Sequence, residues 1–149
     1  MRSLGSNEIE VFPTTRIEDL RFLDEYFPGL VQTEIEREAD IRIFFVRGKM
    51  VGVKVNSAIQ ARGVVDHRFH SIFPSETTIF EIPEQVSKAV SRFMMRLDID
   101  ISALDFLLDK NEALWFLEAN TMGNWVWYDS LCCSGVVALI ADEVLGFDG

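Results

Sequence analysis

Two short apolar runs joined by a polar turn constrain the fold of this chain more than any other feature of its sequence. The runs are Ala103–Asp109 and Ala113–Asn120, and the turn between them is Lys110–Glu112. Runs of this length that are rich in aliphatic and aromatic residues, separated by a few polar ones, are typical of a β-hairpin. The sequence therefore predicts an antiparallel pair of strands near the end of the chain.

The register of this hairpin is expected to bring three polar side chains together. With the turn centred between Asn111 and Glu112, Asp105 faces Glu118 across the strand pair. Side chains alternate along a strand, so Asn120 lies on the same face as Glu118. The opposite face is then lined by apolar side chains, namely Leu104, Phe106, Leu117 and Ala119.

Two facing carboxylates and a neighbouring amide suggest a site for a divalent cation. Facing carboxylates repel each other, and in an apolar surround one of them takes up a proton unless a cation lies between them. Ligands that are all oxygen suit Mg²⁺ or Mn²⁺. The alternative is that Asp105 and Glu118 are solvated strand residues or ion-pair partners. The shared face of the three side chains favours the metal site.

A second predicted hairpin, earlier in the chain, carries positive charge. Its strands are Ile41–Val46 and Met50–Ser57, and they are joined by the turn Arg47–Lys49. A turn centred on its glycine places Arg42 opposite Lys54. Two cations side by side on one strand face are expected to attract an anion.

The surroundings of this basic pair suggest what the anion could be. The same register places Asp40 opposite Asn56, and Arg62 and Arg68 follow in the next segment, from which either could reach the pair. A polyphosphate held between the basic hairpin and the acidic one fits this arrangement. A solvated sheet face with scattered ion pairs fits these residues equally well.

Two helices are expected to back these strands. Pro83 in a first helical turn, followed by apolar residues at helical spacing, predicts a helix over 83–97. Ser134 is expected to cap a last helix over 134–145. Together with the hairpins, these helices predict an α+β fold, in which an antiparallel sheet is backed by helices.

The N-terminal part is expected to form a small lobe of its own. The sequence predicts strands at 9–12 and 30–35, with a helix that begins at Thr15 between them. Residues 58–82 are polar and irregular, and we expect a loop there with a short strand at 64–69.

The charge balance excludes several classes of protein. Asp and Glu outnumber Lys and Arg by 24 to 14, and the formal net charge is −10, so nucleic-acid binding is not expected. No apolar run approaches the roughly 20 residues of a membrane-spanning helix, so no membrane partner is expected either. Cys132 and Cys133 are neighbours that cannot easily bridge to each other, which favours a reducing cytoplasm.

An ordered set of short segments resembles the C-terminal half of ATP-grasp ligases. The segments are Leu30–Ile35, Asp40–Arg42, Asp66–Arg68, Asp105 and Phe116–Asn120. They are most similar to the RimK-like branch and to the microviridin-type maturases that cyclise ribosomally made peptides. The pattern Glu-x-Asn-x-x-Gly-x-Trp-x-Trp of those maturases corresponds to Glu118–Trp127. The resemblance extends over about Val11 to Leu145.

The resemblance implies a nucleotide site. The strand Gln32–Ile35 would be the hinge whose backbone meets adenine, with Thr33 and Glu34 at the contact. Asp40 would meet the ribose, and Arg68 would lie against the phosphates or the acyl phosphate as the catalytic residue. Arg42 and Lys54, from the basic hairpin, join this expected site.

The resemblance also implies a metal site and a reaction. Asp105, Glu118 and Asn120 would hold two Mg²⁺ ions, or Mn²⁺. Such enzymes phosphorylate a carboxylate with the γ-phosphate of ATP, and an amine or hydroxyl then displaces phosphate to form an amide or ester. ATP and a peptide or amino-acid substrate are therefore the implied partners.

Departures from the family pattern suggest an incomplete enzyme. The ATP-binding lysine and glycine-rich loop of the family would fall before this chain or at its start. Thr121 replaces a common proline, and His67 replaces a common aromatic residue. We expect 1–38 to be part of the small ATP-grasp lobe and 39–149 to be the C-terminal metal- and nucleotide-binding subdomain. The isolated chain is expected to be inactive without its N-terminal half or a partner chain.

Two alternatives remain open at the level of sequence. One is a non-catalytic module, derived from an ATP-grasp fold, that binds a peptide or partner through Trp125, Trp127 and Tyr128, since Trp and Tyr favour interfaces. The other is a homodimer in which exposed strands pair with a second chain.

Overall fold

The computed structural model of the chain describes residue 33 and residues 35–56 and 76–146. The strands are β1 (Arg37–Val46), β2 (Lys49–Asn56), β3 (Thr77–Phe80), β4 (Ile101–Asp109) and β5 (Leu114–Asn120), and the helices are α1 (Glu84–Leu97), α2 (Trp125–Cys132) and α3 (Val136–Leu145). The elements predicted at 9–12, from Thr15 and at 64–69 lie outside the described residues. Of the strand predicted at 30–35, only Thr33 and Ile35 are described, and neither lies in a strand.

The described strands form one antiparallel sheet in the order β3-β2-β1-β4-β5. Both predicted hairpins are present, as the neighbouring pairs β1–β2 and β4–β5. The α+β class is therefore confirmed. The short strand β3, which the sequence did not predict, adds to the free edge of β2.

Helix α1 covers one face of the sheet, which we call the α1 face. Pro83 precedes the helix, and Asp98 ends it in the left-handed conformation, so the predicted span of 83–97 is confirmed to within a residue. Its Val90 and Met94 are buried against the sheet. The cluster on this face contains Ala39, Ile41, Ile43, Phe45, Val90, Met94, Leu104, Phe106 and Leu108.

Helices α2 and α3 cover part of the other face, which we call the α2–α3 face. The buried residues there are Phe44, Val53, Val55, Ala103, Tyr128 and Val136. Helix α3 is Val136–Leu145, and its N-cap is Gly135 and not Ser134 as predicted. The Asp129 carboxylate joins the two helices, because its Oδ1 accepts hydrogen bonds from Ser134 Oγ at 2.9 Å and from Gly135 N at 2.6 Å. None of the described helices is long and apolar enough to cross a membrane.

Candidate functional site

A register shift in the last hairpin decides which polar side chains share a face. Next to the turn, Leu107 pairs with Trp115 and Phe106 pairs with Phe116. The register then shifts by one residue between Asp105 and Phe106, so that Asp105 pairs with Glu118. Without this shift, which is of the β-bulge kind, Glu118 would point to the other side of the sheet.

The predicted pairing of the two carboxylates is therefore confirmed. Asn120 pairs with Ala103, two residues from Asp105, so it lies on the same face as both acids. We call Asp105, Glu118 and Asn120 the acidic cluster. The prediction was wrong on the opposite face, where Phe116 and not Leu117 lies across from Phe106.

An arginine from the central strand reaches the acidic cluster. Arg42 pairs with Asp105 across β1 and β4. Its Nε donates to Asp105 Oδ1 at 2.6 Å and its Nη2 donates to Asp105 Oδ2 at 2.7 Å. This two-pronged geometry is the strongest kind of side-chain ion pair. The charge of Asp105 is thus balanced by a guanidinium, as the ion-pair alternative from the sequence predicted, although the sequence did not identify Arg42 as the partner.

Tyr128 from α2 fixes the same guanidinium from a second side. The Arg42 Cζ lies 4.8 Å from the centre of the Tyr128 ring, which is within the range of a cation–π contact. Burial lowers the pKa of Arg42, but the hydrogen bond to Asp105 and the nearby charges outweigh it, so the pKa lies above its ordinary value. Burial also raises the pKa of Tyr128. Arg42 therefore stays charged, and the phenol stays protonated.

Asn120 is held at the start of the loop that leads into α2. Its Oδ1 accepts a hydrogen bond from Met122 N at 2.8 Å, which is an Asx turn. A Cβ on Gly123 would come within 2.9 Å of the Trp125 ring and within 3.0 Å of Ala103 Cβ. Glycine at this position therefore lets the indole pack close to the strand that carries Asp105.

The first hairpin has a different register from the one predicted. Its turn has only two central residues, Arg47 and Gly48, with φ of 45° and 90°. Val46 therefore pairs with Lys49, and every pair moves by one residue. Two-residue turns with positive φ at both positions match the twist of paired strands.

This register separates the two cations that were expected to lie side by side. Arg42 pairs with Val53, not with Lys54. Lys54 pairs with Ile41 on the α1 face, where its Nζ lies 3.8 Å from Glu38 Oε1. The expected pairing of Asp40 with Asn56 is also wrong, because Asp40 pairs with Val55.

The other predicted nucleotide contacts are only partly described. Thr33 is exposed, whereas Gln32, Glu34, Arg62 and Arg68 lie outside the described residues. Asp40 lies on the same face as Arg42, two residues away along β1, and its Oδ1 accepts a hydrogen bond from Arg37 Nη1 at 3.1 Å.

The aromatic surface proposed for a binding module is mostly interior. Tyr128 is 3% exposed, and Trp125 and Trp127 pack against the apolar cluster of the α2–α3 face. The three side chains therefore cannot form an open recognition surface together. In the described part of the chain, the exposed aromatic side chains are instead Trp115 and Phe116 of β5 and Phe93 of α1.

Comparison with known proteins connects this geometry to a fold. No family model and no curated protein matches the sequence. Among solved structures, a Chryseobacterium gregarium RiPP-associated ATP-grasp ligase in complex with ADP and a leader and core peptide is 21% identical, with a TM-score of 0.70 over 79% of this chain and 36% of that one. The chain has the fold of part of an ATP-grasp ligase.

Two further ATP-grasp structures support this assignment of the fold. The ligase PsnB, complexed with a phosphomimetic variant of its minimal precursor, Mg and ADP, is 12% identical, with a TM-score of 0.61 over 76% of this chain and 34% of that one. The macrocyclase MdnC from Microcystis aeruginosa MRC, bound with its precursor peptide MdnA, is 19% identical, with a TM-score of 0.51 over 64% of this chain and 26% of that one. The chain thus spans about a quarter to a third of these ligases.

The oxygen atoms of the acidic cluster are of the kind that Mg²⁺ and Mn²⁺ prefer as ligands. Within residues 33, 35–56 and 76–146, no group of three His, Cys, Asp or Glu side chains is placed to hold a metal. The acidic cluster offers two carboxylates and one amide oxygen on one face of β4 and β5. Mg²⁺ commonly takes one or two carboxylates and completes its shell with water and phosphate oxygens. By ligand type, the cluster therefore suits Mg²⁺ or Mn²⁺.

Proposed function

We propose that this chain carries the metal- and nucleotide-binding subdomain of an ATP-dependent ligase. The ligase would join a carboxylate to an amine or hydroxyl through an acyl phosphate, on a peptide or protein substrate. The observation that carries the proposal is the convergence of Asp105, Glu118 and Asn120 on one face of the sheet, in a chain with an ATP-grasp fold.

The acidic cluster would hold Mg²⁺, or Mn²⁺, through the carboxylates of Asp105 and Glu118 and the Oδ1 of Asn120. A bound divalent ion would offset charge on the transferring phosphoryl group. Oδ1 of Asn120 already accepts one hydrogen bond, from Met122 N, and an amide oxygen has a second lone pair for a metal. Arg42 is the described cation nearest to this cluster and would contact the phosphates.

The proposed nucleotide site combines Asp40 of β1 with residues that precede and follow the β1–β2 hairpin in the sequence. We place Gln32, Thr33 and Glu34 at the adenine, Asp40 at the ribose and Arg68 at the reacting phosphate. Lys54 is left out of the proposed site because its strand position faces the α1 side of the sheet. Residues 1–38 would then be part of the small lobe, and 39–149 the C-terminal subdomain.

A peptide substrate and a cytoplasmic setting complete the proposal. The three solved ligases compared above are complexed with precursor, leader or core peptides. We therefore propose that the substrate is a ribosomally made peptide. We expect the isolated chain to lack ligase activity and to depend on the remaining part of the ATP-grasp fold, in the same or another polypeptide.

Titration with Mn²⁺, followed by the electron paramagnetic resonance signal of the free ion and corrected for the Mn²⁺ that ATP binds without protein, tests the metal site in the full chain. With ATP present, Asp105→Asn and Glu118→Gln are each expected to weaken Mn²⁺ binding by about tenfold or more, because each removes a charged ligand. Glu112→Gln is the matched control, since it removes the same charge from the turn of the same hairpin. Equal weakening by the control, or no Mn²⁺ binding by the unaltered chain, would contradict the proposal.

A second candidate function is a non-catalytic binding module. The observation that favours it is the edge strand β5, on which Trp115, Phe116 and Leu117 are each about half exposed. Such an edge can take up an extended peptide by strand addition. This module needs no metal, so Mn²⁺ binding that depends on Asp105 would argue against it.

A further inference from the structure

The ion pair between Arg42 and Asp105 engages both oxygens of a carboxylate that is also a proposed metal ligand. The two hydrogen bonds, of 2.6 and 2.7 Å, use Oδ1 and Oδ2 together. Both side chains are largely buried, with 16% and 20% of their surface exposed. The Tyr128 ring supports the guanidinium from another direction. Arg42 is therefore fixed where it already supplies Asp105 with a positive charge.

The charges around Asp105 disfavour a second cation unless an anion binds with it. Asp105 and Glu118 together carry two negative charges, which one divalent ion balances by itself. With Arg42 still in place, a divalent ion would leave one positive charge in excess at a partly buried position, where repulsion is screened less than in water. A phosphate group would supply the missing negative charge and accept hydrogen bonds from the guanidinium.

We propose that Arg42 is an internal counter-ion that competes with the divalent metal for Asp105 until a phosphate group binds. This inference rests on the proposed metal site and deepens it. Without phosphate, Arg42 holds the carboxylate and keeps the metal affinity low. With phosphate, the guanidinium turns to the phosphate oxygens and the metal takes Asp105. Metal and nucleotide would therefore bind together.

The alternative role for Arg42 predicts the opposite sign. A side chain that only orients a metal ligand strengthens metal binding, and its loss typically weakens affinity by about 10- to 100-fold. A competing cation weakens metal binding, so its removal strengthens it. The direction of the change in Mn²⁺ affinity therefore separates the two roles.

The experiment measures Mn²⁺ binding to the full chain, first without nucleotide and then with ADP at matched free Mn²⁺. We expect Arg42→Gln to bind Mn²⁺ about tenfold more tightly than the unaltered chain without ADP. Arg42→Lys, which keeps the charge but loses the two-pronged contact, should lie between them. Arg47→Gln is the matched control, because Arg47 directly follows the strand that carries Arg42 and pairs with the exposed Asp100. It should leave the affinity unchanged.

The ADP arm tests the second half of the inference. ADP should raise the Mn²⁺ affinity of the unaltered chain by a larger factor than that of Arg42→Gln. The variant has no guanidinium that could turn from Asp105 to the phosphate and free the carboxylate. An equal effect of ADP on both proteins would overturn the proposed exchange.

The outcomes distinguish this inference from the function on which it rests. If the unaltered chain binds Mn²⁺ and Arg42→Gln binds it equally or more weakly, the competition is wrong and the metal site stands. If Arg42→Gln alone binds Mn²⁺ without ADP, the competition is supported. If no variant binds Mn²⁺ with or without nucleotide, both ideas fail. Circular dichroism checks folding, and Arg42→Lys carries the same test of direction should Arg42→Gln not fold.

Discussion

The two faces of the sheet are built from the same strands but are held together differently. The α1 face is apolar across β1 and β4, and Met94 of α1 is fully buried against it. The α2–α3 face has an apolar cluster around Phe44, Val53 and Ala103, but it also carries Arg42 on β1 and the acidic cluster on β4 and β5. Packing therefore stabilises the first face, and ion pairs and hydrogen bonds order much of the second.

This difference shows on which face the side chains can exchange partners with little loss of stability. A close-packed apolar face loses stability when any buried group is removed, because the neighbours cannot fill the space. A polar, partly exposed face tolerates rearrangement, since water can replace lost partners. A site that must exchange one cation for another is expected on the second kind of face.

The largest predicted effect is on the α1 face, at Met94. Met94→Ala removes a side chain with no exposed surface, and we expect the free energy of unfolding to fall by about 2–5 kcal/mol. Urea unfolding followed by circular dichroism measures this loss. Mn²⁺ affinity of the folded fraction should not change, because α1 lies across the sheet from the acidic cluster.

Met95→Ala is the matched control for this prediction. Met95 is the next residue of the helix and is 76% exposed. Its removal should change the free energy of unfolding by no more than about 0.5 kcal/mol. Comparable losses from both variants would mean that the α1 face is not the packed face of the sheet.

The sequence predicted the α1 face well because its signals are local. The spacing of apolar residues after Pro83 located α1, and the two hairpins followed from their turns. The α2–α3 face was predicted less well. Helix α2 is rich in apolar and aromatic residues on most sides and has no side-chain cap at its start, so neither periodicity nor capping marked it.

The candidate site was predicted in part. The pairing of Asp105 with Glu118 was correct only because a register shift in the strands offsets an error in the predicted turn. Next to the second turn, the strands pair one residue out of the predicted register, so that Leu108 faces Leu114. The register shift between Asp105 and Phe106 corrects this offset, and Asp105 therefore faces Glu118 as predicted. The first hairpin has no such shift, so the same kind of error displaced Arg42 from Lys54. The contact of Arg42 with Asp105 joins strands distant in sequence, and no local pattern reports that pairing.

A smaller effect is expected on the α2–α3 face, at Gly123. A methyl group there would overlap the Trp125 ring and Ala103, and such overpacking typically costs about 1–3 kcal/mol. Gly123→Ala should therefore lower stability less than Met94→Ala, and it should change the near-ultraviolet circular dichroism by moving the indole. It is also expected to weaken Mn²⁺ binding, because the loop that holds Asn120 must shift.

Gly48→Ala is the control for Gly123→Ala, because it introduces backbone strain without steric overlap. A Cβ on Gly48 meets no atom within 4 Å, although φ is +90°. This variant should lose about 1 kcal/mol through strain alone and leave the tryptophan signal unchanged. An altered near-ultraviolet spectrum in Gly48→Ala, or none in Gly123→Ala, would contradict the proposed packing of Trp125.

The smallest predicted effect concerns Asp109, which orders the exposed end of the β4–β5 hairpin. Its Oδ2 accepts a hydrogen bond from Trp115 Nε1 at 2.9 Å, and its Oδ1 accepts bonds from the backbone N–H groups of Asn111 and Ala113. The bond from Trp115, followed by those from the backbone, lowers the pKa of the Asp109 carboxyl in the folded chain. Trp115 is held here by hydrogen bonding more than by burial.

A pKa that is lower in the folded than in the unfolded state fixes the sign of the pH dependence. The stabilisation is complete above the pKa of the unfolded carboxyl, near 4, and is lost as the pH falls through the lower folded value. The thermal midpoint of Asp109→Asn should therefore lie below that of the unaltered chain at about pH 7, and the gap should close below about pH 4. Glu112→Gln removes a charge from the same turn but leaves the bonds to Asp109 intact, so its midpoint should follow that of the unaltered chain throughout. A gap that stays constant down to about pH 3 would mean that the amide differs from the carboxylate through turn geometry and not through charge.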